Sequence, residues 1–449
     1  MSAPLAEPLG KTAAPAPEIT RGKALFGLLS LALTICCASS MRVIFSPVQD
    51  LAKAELNLSD FQLSLLQGLA VSVPVALLSL PVGRLTDRGN RLRLLLVMAL
   101  VWTTGSIATA FATGFYSLFV ARMLAGIGAM CAVPVVISMA ADLSTPERRG
   151  RSLLFLSIGN IGGGAIAFAA GGWLLGWLQT AAAESGGLFA ALAPWRGVHL
   201  WFGLASLVLI MPLLALREPR RHELGEAPHA ELRPALREIW AHRRLLGPLF
   251  LGQVTVVMAD TAATIWAAPV LTRDYGVLPE QFAGWMGLVL LGAGIAGSLI
   301  GGFAADAGHR SRIGGGILLG AVAAAWLSIP GACFALAPGT VSFALLLTLL
   351  LTCGTVTGLV ASTAIAVLLP NEIRGVCLGA FVVIGAIVGL GFAPTAVTLV
   401  STAMGGEESL RYALAISIGV TSLLAALGFT GALRSARVVQ PPDPSPAIA

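Results

Sequence analysis

Apolar runs alternate with short polar turns along nearly the whole chain. Twelve such runs are read, at about 24–47, 60–83, 93–113, 115–141, 152–178, 198–216, 246–271, 282–304, 313–336, 340–369, 375–402 and 410–434. A helix needs about 20 apolar residues to cross a bilayer core. Backbone groups in lipid must bond within their own segment, and these runs are too long for barrel strands, so each is expected to be a helix.

A nine-residue spacing divides the series in two. Gly83-Arg84-Leu85-Thr86-Asp87-Arg88-Gly89-Asn90-Arg91 follows the second run, and Gly302-Phe303-Ala304-Ala305-Asp306-Ala307-Gly308-His309-Arg310 follows the eighth. Arg149-Gly150 and Arg374-Gly375 open the fifth run of each half. Duplicated halves with a moving interface are a common transporter design. The predicted fold is all-α: a membrane protein with twelve transmembrane helices in two pseudo-symmetric six-helix bundles. Residues 1–23 form an N-terminal tail predicted to be disordered, 24–216 the first bundle, 217–245 a cytoplasmic linker, 246–434 the second bundle and 435–449 a second disordered tail. Within the linker, 231–243 has helical spacing suited to lying on a membrane surface.

Composition agrees. Of 449 residues, 56% are hydrophobic and 11% charged, against about 25% charged in soluble proteins. The net charge of +6 does not point to nucleic acid, because the charges sit in turns. Lys53, Arg196, Arg273 and Arg411 fall on one side of the spans, and Arg42 and Arg122 fall inside them. All the other lysines and arginines fall on the side of the termini. That bias predicts cytoplasmic termini, in an integral multi-pass protein of a bacterial inner membrane. The six cysteines lie in apolar runs without metal-ligand spacing. No cleavable signal, nucleotide loop or catalytic triad is read, so neither cofactor, metal nor enzyme activity is expected. The glycines of GNIGGGA (Gly159, Gly162, Gly163, Gly164) lie inside a span with no strand before them. They are expected to let the fifth helix approach its partner across the moving interface.

Several strings together carry a resemblance. GRLTDRGNR after the second run, ARMLAGIG in the fourth and PERRGRS before the fifth resemble the major facilitator superfamily. LSDFQLSLLQGLA, PWRGVHLWFG, APVLTRDYGV and LLPNEIRG resemble its spinster-like branch, associated with lysolipid and sphingolipid export. The resemblance covers about 24–434. It implies two bundles around a cavity lined by helices 1, 4, 7 and 10, with helices 2, 5, 8 and 11 at the interface between halves. It also implies that Asp87 meets the N-terminus of the eleventh helix, near Arg374, and so latches the cytoplasmic side. Asp306 is the pseudo-equivalent of Asp87. Gly83 is expected to permit close approach and Gly89 a tight turn, while Arg88 and Arg91 pair with acids such as Asp142. Arg149, Arg310 and Arg374 complete this gating set; the alternative is that all these charges only set topology. The chain departs from the branch at Met41 and Ala129, where relatives carry acids expected to take up a proton.

Charges inside the spans point to the site. Arg42 costs roughly 2.5–3.5 kcal/mol at membrane depth unless solvated or paired. It is read as an anchor for an anionic group, or else as a helix–helix donor. Asp260, deep in the seventh run, could pair with Arg42 or Arg122, take up a coupling proton, or bond Thr261 or Thr264. Arg122 could touch solute or brace helices. Gln67, Asn160 and Gln253 are further polar candidates, and His199 is read as structural. Phe61 and Trp266 either line the path or pack. The predicted function is secondary active or facilitated transport of an anionic or amphipathic solute, extending to lipid-like ones, by a monomer in the lipid bilayer. Protons are a candidate coupling ion. The alternatives are uptake of a small organic acid and a non-transporting sensor.

Overall fold

The structure is a computed structural model and describes residues 21–145, 148–185, 192–219, 239–311 and 313–439. Among the described residues, twelve helical spans are long and apolar enough to cross a membrane. They are α1 (21–56), α2 (60–88), α3 (Arg91–Ala110), α4 (Phe115–Asp142), α5 (Arg149–Ser185) and α6 (194–215). In the second half they are α7 (Arg243–Arg273), α8 (Pro279–Arg310), α9 (316–336), α10 (Thr340–Leu368), α11 (371–403) and α12 (Leu410–Val439). Most of the predicted linker, 220–238, lies outside the described residues, as do the two tails at 1–20 and 440–449.

Local chemistry explains several starts and breaks. Ser59 caps α2 by accepting from Gln62 N at 3.2 Å while Gln62 Oε1 accepts from Ser59 N at 3.0 Å. Asn90 caps α3, accepting from Arg93 N at 2.8 Å. Pro194 and Pro279 open α6 and α8, where a missing N–H costs nothing. α1 is interrupted after Val43 by a 3₁₀ turn at Ser46–Val48 containing Pro47, then resumes at Gln49–Leu56. α2 breaks at Gly68, and α11 contains a π-helical stretch at Gly385–Phe392. These two irregularities touch: a Cβ on Gly68 would strike the Gly391 carbonyl.

The two halves meet through α5 against α8 and α2 against α11. Gly287 lets α8 lie on the Ala165 carbonyl of α5, and Gly294 lies on Ile161. Gly159 and Gly163, predicted for this interface, instead pack on the Ala32 and Cys36 carbonyls of α1, inside the first half. Residues four apart share one helix face, and here that face turns inward to its own bundle. Gly162 meets open space and Gly164 borders the cavity described below.

Apolar packing is uneven along the spans. One core is shared by both halves and joins Phe45, Leu66 and Phe168 to Trp266, Phe282 and Val397. It lies on the face away from the termini. Toward the terminal face, which carries most of the arginines and is called the basic face below, the core divides. One part holds Leu31, Trp102 and Met139 of the first half, and the other holds Leu249, Ile365 and Phe429 of the second. The halves are joined on one face and parted on the other.

A candidate solute cavity between the halves

A cavity of about 290 Å³ lies between the halves. Arg42 of α1, Gln67 of α2, Asn160 of α5 and Asp260 of α7 all line it, with Thr261, Thr264 and Thr355. Four of the six residues read as solute-binding therefore converge. The walls come from α1, α2, α5, α7, α8, α10 and α11. No residue of α4 is among them, although the resemblance placed that helix at the cavity.

The reason is Arg122. This α4 residue is 2% exposed and sits behind the α1 break. Its Nη2 donates to the Arg42 carbonyl at 3.0 Å and to Gln67 Oε1 at 3.4 Å, and its Nη1 donates to the Met41 carbonyl at 3.4 Å. Its guanidinium lies over the Phe45 ring at 5.1 Å. Gln67 Nε2 in turn donates to Ser46 Oγ at 3.1 Å and Gln49 Oε1 at 3.2 Å. Gln49 Nε2 reaches the other half, donating to the Ile265 carbonyl of α7 at 2.6 Å. A buried polar chain thus ties α4 through α1 and α2 to α7. Ser46 and Gln49 carried no sequence signal beyond their polarity. His199 is fully buried against Phe45 and Trp195, with ring centroids 5.7 and 6.3 Å away.

Arg42 is different. Among the described residues its side chain makes no hydrogen bond or ion pair. The acids of the described first half (Asp50, Glu55, Asp60, Asp87, Asp142, Glu184 and Glu218) all sit at span ends or in turns. Asp260 borders the same cavity but forms no ion pair with Arg42 or Arg122. Thr264 Oγ1 donates to the Asp260 backbone carbonyl at 2.8 Å, not to its carboxylate. Gln253 lies off the cavity, 7% exposed, facing Gly358 of α10. Trp266 is buried and donates to the Pro394 carbonyl at 3.3 Å, while Phe61 is exposed.

The charges expected to form a gate are parted in this structure. Asp87, Arg88, Asp306 and Arg310 are exposed and make no hydrogen bond or ion pair among the described residues. A Cβ on Gly83 would meet nothing within 4 Å, so no close approach occurs there. Arg374 Nη2 donates to the Leu369 carbonyl of its own half at 3.2 Å. Arg91 is buried and ties α3 to α4: its Nη1 donates to Asp142 Oδ2 at 2.5 Å. It also reaches Glu218 and the Pro219 carbonyl. Arg149 is half-buried at the start of α5.

The opposite face is closed by a charge cluster that sequence reading missed. Arg273 at the end of α7 grips Asp50 at 2.6 and 3.1 Å, and Asp60 at 2.7 and 2.9 Å. Lys53 bonds Asp60 at 2.7 Å and also Glu407. Glu407 accepts from the Asp60 backbone N at 2.7 Å. Below them Ser64 of α2 and Thr395 of α11 bond at 3.2 Å. A signal existed. Lys53, Arg196, Arg273 and Arg411 are the basic residues on the wrong side for the charge bias, and each pairs with an acid there.

A sequence model of the Major Facilitator Superfamily matches residues 31–394. The chain belongs to that superfamily. Its fold is similar to the crystal structure of a bacterial homolog to the human lysosomal transporter spinster in an inward-facing and unoccupied conformation. That likeness has a TM-score of 0.78 and 22% identity, covering 96% of this chain and 100% of that one. The 3-(3-hydroxy-phenyl)propionate transporter of Escherichia coli is 28% identical over 214 residues, 47% of this chain and 48% of that protein. The gallate transporter of Pseudomonas putida is 26% identical over 276 residues, 54% of this chain and 57% of that protein. The matches reach about half the length of these relatives. In superfamily terms, α2, α5, α8 and α11 form the interface that the resemblance implied.

Proposed function

We propose that this protein carries a small organic anion across a bacterial inner membrane by alternating access, with both termini cytoplasmic. One observation supports this above the rest. Arg42 faces a cavity between two halves at membrane depth and has no counter-charge within the described first half. A guanidinium so placed is stabilised by an arriving carboxylate, which it can hold through two parallel hydrogen bonds. Arg122 is the strut that fixes α1, and hence Arg42, rather than a second anchor. The organic acids in the names of the two relatives support the same solute class. So does the cavity of about 290 Å³, which suits a compact ligand better than a lipid, since pockets for drug-sized ligands run to roughly 1,000 Å³. With cytoplasmic termini, the parted basic face makes this the inward-open state.

Asp260 is the carboxylate that couples. It sits in the second half, across the cavity from Arg42, and must be neutralised to rest there cheaply. Its neutralisation by a cation, in the simplest case a proton, changes the charge of the solute site.

Counterflow in proteoliposomes tests the reading, with 3-hydroxybenzoate as the probe. Arg42→Ala is expected to weaken probe binding by about a hundredfold and to abolish counterflow, as loss of a charge-assisted bidentate pair costs about 3 kcal/mol. Unchanged affinity would remove Arg42 from the site. Probe binding without counterflow in the wild type would make the protein a sensor.

A further inference from the structure

Behind Asp260 lies a second, much smaller void. We propose that it is a binding site for one monovalent metal cation of the sodium type, held between α7, α9, α10 and α12. It measures about 10 Å³ and is bordered by Asp260, Ser328, Cys353, Thr357 and Ser422. That is about the space one water or one desolvated ion occupies. Asp260 borders both this void and the solute cavity. Gly354 of α10 makes the seat: a Cβ there would collide with the Asp260 carboxylate, so only glycine lets the carboxylate rest against α10.

Two oxygens are left open. Asp260 Oδ1 and Ser422 Oγ are buried and have no hydrogen-bond partner, and Ser422 is 2% exposed. Buried polar atoms without a partner are uncommon and call for a reason. The other two hydroxyls have committed their hydrogens. Ser328 Oγ donates to the Ala325 carbonyl and Thr357 Oγ1 to the Gly354 carbonyl, each at 2.8 Å. A hydroxyl has one donor and two acceptor lone pairs, so both still have lone pairs to offer. The result is a carboxylate and three hydroxyl oxygens around one void.

Charge narrows the occupant. α9 and α10 contain no basic residue, and those of α7 and α12 lie at their ends (Arg243, Arg244 and Arg273; Arg411, Arg434 and Arg437). On the neighbouring helices, His309 and Arg310 end α8 and Arg374 opens α11. Across the cavity stands Arg42, unpaired with Asp260. A water would satisfy Ser422 but leave the carboxylate charge in place. A proton would neutralise Asp260 but would not fill the void between it and the three hydroxyls. A divalent ion would leave one net positive charge in a low-dielectric interior. A hard monovalent cation takes lone pairs from the carboxylate and the three hydroxyl oxygens at once and balances the charge, and oxygen ligands favour hard ions. This deepens the coupling role given to Asp260 and rests on it only for the part the ion plays in transport.

The test is thermal unfolding of the purified full-length protein, without organic anion, in sodium chloride against choline chloride at matched ionic strength. Sodium is expected to raise the Tm in a saturable way and choline is not, because an ion bound only by the folded state stabilises it. Ser422→Ala should weaken the apparent sodium affinity by about tenfold, and Asp260→Asn should abolish the shift. Arg42→Ala should keep the sodium response while losing any response to 3-hydroxybenzoate, so the two readings fail separately. Equal Tm values in sodium and choline for the wild type would overturn the site. So would a sodium shift that survives Asp260→Asn, or a Tm that follows pH identically in both salts. Should Asp260→Asn fail to fold, radioactive sodium binding to the wild type and to Ser422→Ala decides.

Discussion

The two ends of the interface between halves are built from the same kinds of residue and stand in opposite states. On the face away from the termini, Arg273, Lys53, Asp50, Asp60 and Glu407 close into a network across both halves. On the basic face, Asp87, Arg88, Asp306 and Arg310 are exposed and bonded to nothing described. The closed end has no repeated motif, whereas the parted end carries one copy of the motif in each half. A transporter that alternates must hold each end with enough energy to close it and little enough to release it. On the proposed reading, the motif would be the released gate here and the unrepeated cluster the engaged one.

The largest change should follow from Arg273→Ala. Arg273 makes hydrogen bonds to two acids of the other half, and the Asp60 side chain is only 4% exposed. Removing one partner from a largely buried network costs more than removing a surface pair. A loss of about 2 kcal/mol would move the balance between states by roughly thirtyfold. Spin labels at Ala54→Cys and Met404→Cys should then report a population with the ends on this face apart. An unchanged distance distribution would show that the shared apolar core alone holds this face. Glu407→Gln should do the same more weakly. Its side chain is 48% exposed, and exposed pairs contribute about 0.2–1 kcal/mol. Its effect should also shrink as salt rises, whereas that of Arg273→Ala should persist.

What could be read from sequence follows the same division. The twelve spans, the duplication and the inward-turned charges Arg42 and Asp260 were legible, because lipid penalises any departure from them. Arg42 and Asp260 indeed border one cavity. The network on the face away from the termini was not legible, because charges in turns are usually solvated and Arg273 is far in sequence from Asp50 and Asp60. Their only trace was the set of four basic residues opposing the charge bias. The void behind Asp260 was illegible for another reason. Ser and Thr in membrane helices often bond their own helix backbone, as Ser328 and Thr357 do. Sequence alone does not show that Ser422 does not. By sequence, Arg122 fits an anchor or a strut equally. Its bonds to the Arg42 and Met41 carbonyls place it behind the cavity wall.

The smallest effect should come from Asp87→Asn, and the comparison explains why. Asp87 has no partner among the described residues in the basic-open state, so its charge is expected to contribute little there. Its proposed contact with the N-terminus of α11 would form only when the basic face closes. A carboxylate at a helix N-terminus contributes about 0.3–1 kcal/mol, a factor of roughly two to five in population. Alone, Asp87→Asn should leave the distance between labels at Arg93→Cys and His309→Cys almost unchanged, because the contact it removes is absent from the basic-open state. In the Arg273→Ala background the closed-basic state is populated, and there Asp87→Asn should drive the labels apart again. A partial reversal in that background, with near silence in the wild type, is what two gates on one equilibrium require. Equal shifts in both backgrounds would mean that Asp87 acts on the basic-open state itself, and the latch role would then be lost.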